Sequence, residues 1–405
     1  MKILYITNTF PVNPKDSTIY TDLAEALQEN GYELTVVASG EKSKLPKTTV
    51  TNERFMKVIR IRIGDLYNVS LIKKGITTLR IKNKLINGMK KYLPKQKFDL
   101  ILFESPPVSM HAVITWAKKF YNAPSLLMLK DIFPQNAVDL GIIKKNSLIH
   151  KYYVEEEKKL YKSADFIGCM SPKNIEYVKI HNPSTENKLL YFPNTKKMNV
   201  HQPSTEKEII EIKKKYKIPL NSIVAMYGGN MGKPQGIDFV IKVLKKFKNN
   251  EKIFFLLVGR GTEKPKLESV VLKSNMQNIL ILDHLPREDY ERMLKASDLG
   301  LIFLDYRFSI PNFPSRVLSY FEYKIPVIAA VDSNNDFVNM IEESKAGHCV
   351  VSNNTSDFEQ VLNKMIDSKE DRIEMGINGE LYMKKNYEVQ RSVDIINQLI
   401  FKINK

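Results

Sequence analysis

The segment Tyr227-Gly228-Gly229-Asn230-Met231-Gly232-Lys233-Pro234-Gln235-Gly236 has the make-up of an anion cradle. Glycines let a backbone turn tightly and approach a phosphate closely. A helix starting just beyond would add free N–H groups and the positive end of its dipole, and Lys233 adds a full charge. The loop lacks the Gly-Lys-Ser/Thr ending of a Walker loop and the G-x-G-x-x-G spacing of a dinucleotide fingerprint. A tight strand-to-helix turn with no ligand would use the same residues, so the loop alone leaves both readings open.

Two further segments carry related chemistry. Gly259-Arg260-Gly261-Thr262-Glu263-Lys264 is a second glycine loop with a basic residue. By itself it serves equally as a plain turn. In Pro311 to Glu322, Ser315 follows Pro314 and is expected to cap a helix. Arg316 next to it could fork onto phosphate oxygens, or be an exposed arginine on an ordinary capped helix.

The elements that position these loops read as alternating strand and helix. Apolar runs at Ile3–Ile6, Glu33–Ala38, Leu100–Phe103, Ser125–Leu129 and Phe166–Met170 are strands. Lys57–Ile63 alternates basic and apolar residues as an edge strand would. Helical patterns cover Thr18–Asn30, ended by Gly31, and Leu71–Tyr92. Polar residues from Pro193 to Thr205 read as a linker. Strands then resume at 223–227, 254–258, 279–282, 299–303, 327–330 and 349–351, and two helices, near 370–386 and 389–404, follow. This rhythm predicts an α/β protein of two doubly wound, Rossmann-like domains with parallel sheets. The expected boundaries are 1–195, 196–385 and a last helix, 386–405, packing back on the first domain. Ligands bind at the carboxyl ends of such strands, so the expected site is a central cleft between facing domains.

At 405 residues the chain exceeds what one core usually serves. An apolar fraction of 43% excludes disorder. No run reaches the roughly 18 apolar residues of a membrane span, and Ile3–Ile6 is too short for a secretory signal core, which needs roughly 7–15 residues. A cytoplasmic location is therefore expected. The thiols of Cys169 and Cys349 stand far apart, and the histidines have no metal-ligand spacing, so no disulfide and no structural metal are expected. The net charge of +17 calls for an anionic partner: nucleic acid, membrane or a phosphorylated substrate.

Part of that charge is concentrated. Lys73, Lys74, Arg80, Lys82, Lys84, Lys90 and Lys91 fall among apolar residues at helical spacing, with no acidic residue between them. A basic amphipathic helix suits an anionic lipid surface; a solvated helix lying over its own sheet has the same pattern. Nucleic acid is not expected, because no reader motif or aromatic platform accompanies the charge.

The ordered set of motifs resembles one family. Thr9-Phe10-Pro11, Phe103-Glu104-Ser105-Pro106-Pro107, Asp131-Ile132-Phe133-Pro134-Gln135-Asn136-Ala137-Val138-Asp139-Leu140-Gly141, Pro193-Asn194, Gly229-Asn230-Met231-Gly232 with Gln235-Gly236, and Pro314-Ser315-Arg316 before Pro326-Val327-Ile328-Ala329 are similar to the GT-B glycosyltransferases of family four. Among these it resembles bacterial capsule and O-antigen transferases, including those for N-acetylfucosamine. The resemblance covers nearly the whole length. It implies transfer of a sugar from a UDP-sugar, held by the second domain, to a polyprenyl-diphosphate-linked glycan held by the first, at the inner face of the plasma membrane. It implies no cofactor and no divalent metal.

Residue by residue, the resemblance implies that Gly229, Lys233, Arg260 and Arg316 contact the diphosphate, with Gly228, Asn230, Gly232 and Gln235 in the same loop. His284, Leu285 and Pro286 would line the nucleobase, and Asp131 would be a base for the acceptor hydroxyl or a capping carboxylate. The family often carries two glutamates eight positions apart before the Pro-Val-Ile strand; Pro311 and Ser319 stand there in this chain, Glu322 nearly one turn later is the candidate substitute for the ribose carboxylate, and Ser315 and Ser319 are further candidates for binding the donor. Two other functions fit the same features: a nucleotide-sugar epimerase on the same scaffold, and a non-enzymatic binder of anionic surfaces.

Overall fold

The computed structural model describes residues 1–14, 16–65, 71–199 and 205–403. The chain forms two compact units, Met1–Lys197 with Val389–Lys405, and Met198–Glu388.

The first unit contains strands β1 (Lys2–Thr7), β2 (Glu33–Gly40), β3 (Thr49–Glu53), β4 (Met56–Arg62), β5 (Leu100–Ser105), β6 (Ser125–Leu129), β7 (Phe166–Cys169) and β8 (Leu189–Tyr191). They form one sheet in the order β3-β4-β2-β1-β5-β6-β7-β8. All pairs are parallel except β3 with β4. The connecting helices are α1 (Ile19–Glu29), α2 (Leu71–Tyr92), α3 (His111–Tyr121), α4 (Gln135–Asp139), α5 (Leu148–Ser163) and α6 (Pro172–His181). Strands buried on both faces read as unbroken apolar runs, which is why Ile3–Ile6 and Leu100–Phe103 stand out.

In the second unit α7 (Glu206–Lys215), α8 (Ile237–Lys246), α9 (Lys264–Lys273), α10 (Arg287–Lys295), α11 (Val317–Glu322), α12 (Phe337–Ser344), α13 (Thr355–Asp367) and α14 (Lys369–Asn386) surround strands β9 (Ile223–Gly228), β10 (Ile253–Val258), β11 (Ile279–Leu282), β12 (Leu299–Phe303), β13 (Val327–Val331) and β14 (Gly347–Val351). This sheet is parallel, in the order β11-β10-β9-β12-β13-β14. The order reverses at β9, so the loops after β9, β10 and β12 share the carboxyl edge where such sheets take ligands.

The last helix, α15 (Gln390–Ile403), belongs to the first unit. Its Val393, Ile396, Leu399 and Ile400 join Leu23, Ala24 and Leu27 of α1 in one apolar cluster over the sheet.

Three expectations need correction. Lys57–Ile63 is not an edge strand: β3 pairs outside it, and the buried Arg60 meets Glu53 of that strand in an ion pair. The expected linker does hold the boundary between the units, Lys197 to Met198, but its first residues are part of the first unit's interior. Asn194 and Thr195 are buried, the first accepting from Lys130 Nζ at 2.6 Å and the second bonded to Ser392 at 2.7 Å. Residues 200–204 of that expected linker lie outside the described residues. Ser315 does not cap a helix. It sits in a turn, α11 begins at Val317, and no side chain caps it.

Candidate functional site

At the end of β9 the backbone runs against the end of β10. Gly229 N–H donates to Val258 O at 2.9 Å and Met231 N–H to Arg260 O at 2.7 Å. The two loops touch so closely that a Cβ on Gly259 would lie 1.8 Å from the Gly229 carbonyl oxygen. With φ at +156°, Gly259 also has a backbone conformation that other residues avoid. The second glycine loop therefore packs the first into place.

Gln235 fixes the shape of the first loop. Its Oε1 accepts from Asn230 Nδ2 at 2.9 Å and from Gly232 N–H at 3.2 Å. Tyr227 Oη donates to the Asn230 carbonyl. Gln235 and Asn230 are thus joined to each other, holding the loop shut around an outward-facing Lys233. Helix α8 starts at Gly236 with no side chain capping it, so its first N–H groups are left for another acceptor.

Arg316 lies over this loop. Its Cζ is 4.7 Å from the centroid of the Tyr227 ring. A Cβ on Gly229 would come within 3.2 Å of the same atom. Arg316 Nη1 is buried and has no hydrogen-bond partner. An arginine cannot shed its proton to relieve such a position, and an unmade bond at a buried donor costs about 1–3 kcal/mol, more for a charged one. The donor is thus poised for an anionic oxygen.

Two more tyrosines close the surround. Tyr320 Oη accepts from Gly228 N–H at 3.1 Å and donates to Met226 O at 2.9 Å. Tyr290 Oη packs where a side chain on Gly228 would be, and burial pushes its phenol up to about 12. Both stay neutral and satisfied or enclosed, so they leave the positive charge of Arg316 and Lys233 unopposed by a phenolate.

Arg260 and His284 are exposed, and Leu285 is half-buried, on the loops after β10 and β11. Ser315 and Ser319 are half-buried before and within α11. Glu322 is not an open carboxylate: buried, it accepts from Asn199 N–H at 3.0 Å and Asn199 Nδ2 at 3.3 Å. As a ribose ligand it would first have to release Asn199.

The first unit gathers a different group at the ends of β1, β5 and β6. Buried Glu104 accepts from Thr7 Oγ1 at 2.6 Å, Asn8 N–H at 2.9 Å and Tyr5 Oη at 3.1 Å. Burial nonetheless pushes its carboxyl up, with these bonds and Lys130 opposing. Burial pushes the Lys130 ammonium down to about 8, against the pull of Glu104. The adjacent Asp131 is pushed up to about 6 by burial, with hydrogen bonds from the Asn136 side chain and the Ile132 backbone opposing. A carboxyl titrating near neutrality suits proton transfer.

Arg80, Lys82, Lys84, Lys90 and Lys91 are exposed on α2, while the side chains of Lys73 and Lys74 lie outside those described. The described apolar residues of α2 face inward. Ile81, Leu85 and Met89 are buried, and Gly88 lies against Ile61 of β4. Among the described residues no helix is long and apolar enough to cross a membrane.

Sequence reasoning gave no role to Tyr227, Tyr290, Tyr320, Glu104 or Lys130. One signal was present: Glu104, within β5, and Lys130, just after β6, are charges set directly after buried apolar runs. The tyrosines carry no comparable mark.

The chain is similar to known proteins in both halves. Residues 17–195 match the model described as Glycosyltransferase Family 4, and residues 208–382 match that described as Glycosyl transferases group 1. Similarity extends to "Probable glycosyltransferase WbjE" of Pseudomonas aeruginosa, 21% identical over 55% of this chain and 54% of that protein. It also extends to WcaI of Escherichia coli K12, named for colanic acid biosynthesis glycosyl transfer, 22% identical over 45% of each. The chain spans about half the length of these curated relatives it matches. In fold it is similar to Anabaena HepE, solved in complex with UDP: TM-score 0.71, 14% identity, 98% of this chain and 99% of that one. Each unit is thus matched by its own glycosyltransferase model, family four for the first and group 1 for the second, and the whole chain has the GT-B fold.

Proposed function

We propose that this protein transfers a sugar from a UDP-sugar to a lipid-linked glycan in the assembly of a surface polysaccharide, with an N-acetylated deoxysugar such as N-acetyl-L-fucosamine as the donor's sugar. The observation that carries this reading is the buried, unpartnered Arg316 Nη1 above the Gly228–Gly236 loop. UDP in HepE and the polysaccharide pathway in WcaI's name support the choice of donor and product.

Breaking the anomeric bond leaves negative charge on the departing diphosphate. Groups set in advance to meet that charge stabilise the transition state more than the ground state. Arg316 donates two N–H bonds to phosphate oxygens, Lys233 and Arg260 add charge, and Gly229 and the α8 N-terminus offer backbone N–H groups. These cations carry the load without a divalent metal, so transfer is expected to persist in excess EDTA. Asp131 takes the proton of the acceptor hydroxyl as the new glycosidic bond forms. The basic face of α2 attracts the protein to the anionic inner leaflet, where a polyprenyl-diphosphate acceptor resides.

Calorimetric titration with UDP, GDP and dTDP, followed by their sugar conjugates, tests the donor. UDP at 100 times its dissociation constant is expected to add about 2.7 kcal/mol to stability. If UDP and its conjugates leave the protein unchanged, the reading fails.

A further inference from the structure

The first turn of α5 is apolar and exposed. Leu148 is 85% exposed, Ile149 61% and Tyr152 52%, and Ile142, in the loop leading into the helix, is 56% exposed. Positions 148, 149 and 152 share one side of a helix. The inward stripe of α5 is elsewhere: Leu160 and Tyr161 are buried, and Tyr153 packs edge-on against Phe133 at 4.8 Å. Nothing in the unit's own core requires large apolar residues at this outward position.

The charges around this patch are one-sided. Lys144, Lys145 and Lys151 flank it and are exposed. Of the acidic residues in the next turn, Glu155 pairs with Lys158 at 3.0 Å, Glu156 pairs with Lys159 at 2.9 Å, and Glu157 accepts from Tyr161 Oη at 2.9 Å. His111 of α3 also reaches Glu156, at 3.0 Å, while Lys90 of α2 lies over Trp116 of α3. The basic helix α2 and the apolar turn of α5 therefore flank the same helix.

We propose that Ile142, Leu148, Ile149 and Tyr152, ringed by Lys144, Lys145 and Lys151, form a wedge that inserts into the headgroup boundary of an anionic bilayer. An apolar surface rimmed by lysines matches a bilayer whose surface is negative and whose interior accepts side chains. The exposed lysines of α2 add long-range attraction, while its described apolar residues Ile81, Leu85 and Met89 are spent on its own sheet. The loop from Asp131 to Phe133 ties the wedge to the carboxylate assigned to the acceptor, through the Phe133–Tyr153 contact. The biological meaning of the wedge rests on the proposed lipid-linked acceptor; its binding to lipid does not.

The test is sedimentation of the full chain with phosphatidylglycerol–phosphatidylcholine vesicles and with pure phosphatidylcholine vesicles. The wild-type protein is expected to pellet with the first and far less with the second. L148D/I149D is expected to lower the partition coefficient at least tenfold. Both positions are exposed and lie in the first helical turn, where acidic residues are favoured, so the fold is retained. In a Trp116→Phe background, Tyr152→Trp is expected to shift its emission to the blue on vesicle addition. Wild-type binding by L148D/I149D, or emission from Trp at 152 that stays water-like in pelleted protein, overturns the proposal. So does a wild-type dimer that L148D/I149D turns into monomers with vesicle binding intact, which assigns the patch to a second copy. UDP titration of the same proteins keeps the two readings apart: vesicle binding with no response to UDP removes the donor assignment and leaves the wedge, and the converse removes the wedge alone.

Discussion

The guanidinium of Arg316 rests on the Tyr227 ring, 4.7 Å from its centroid, with one terminal nitrogen buried and unbonded. Tyr227 holds the guanidinium in place through its ring and a side-chain hydrogen bond, and Nη1 is still left unpartnered. Arg316→Ala is expected to weaken UDP binding and lower kcat about 100-fold, roughly 3 kcal/mol, the loss typical of one charge-stabilising donor. Arg316→Lys restores the charge but not the planar fork, so it is expected to recover only part of this. Steady-state kinetics and calorimetry on both variants check it; an unchanged kcat in Arg316→Ala removes the assignment.

Gln235 offers a separable test, because it shapes the loop while remaining buried. Gln235→Leu leaves Asn230 Nδ2 and the Gly232 N–H without their acceptor. The Gly232 N–H is buried and its lost bond costs about 1–3 kcal/mol, whereas the exposed Asn230 amide can turn to water. The expected result is a melting temperature a few degrees lower and an affinity for UDP weakened about tenfold, read by thermal denaturation and calorimetry.

The long-range half of this site could not be read from sequence. Tyr320 and Gly228 meet across 92 positions of chain, and no local pattern pairs them. The glycine loops were legible because close backbone approach demands a residue type. Strand and helix order was legible because buried parallel strands are continuous apolar runs. β3 escaped because Thr49–Glu53 is polar and lies outermost, and its absence made β4 look like an edge. The buried Arg60 in β4 mimicked a solvent-facing charge; only its partner, Glu53, explains it. Likewise Asn194 and Thr195 have linker composition yet are held inside by Lys130 and Ser392.

Asp131 sets a pH dependence. Its carboxyl is held at about 6 by burial, above the ordinary aspartate value of about 3.9. A carboxyl with a raised folded pKa stabilises the fold when protonated. That contribution is complete below about pH 4 and is lost as pH rises through about 6, amounting to roughly 3 kcal/mol. Asp131→Asn is expected to flatten stability between pH 4 and 6 in denaturant titrations. Transfer needs the ionised base, so the wild-type rate is expected to rise with pH through a limb near 6. Asp131→Asn loses that limb and about 10²–10⁴ in rate.

Glu104 is expected to matter for folding of the first unit. It takes three hydrogen bonds, from Tyr5, Thr7 and Asn8. Glu104→Leu strands those donors and leaves the Lys130 ammonium without its countercharge, a loss expected at about 3–5 kcal/mol. Urea denaturation should show a lower midpoint for the first unit, while UDP affinity, which the proposed function assigns to the second, is expected to stay within twofold.

The placement of α15 also bears on how the protein is made. Residues 198–388 emerge from the ribosome before the helix that covers α1 and its neighbours on the first sheet. The second unit has its whole sequence available early and can complete itself as a nascent chain. The first unit must wait with Leu23 and Leu27 uncovered until the closing helix is released. Its vulnerable interval, in which chaperones or aggregation compete for that face, is therefore set by the translation time of the intervening unit.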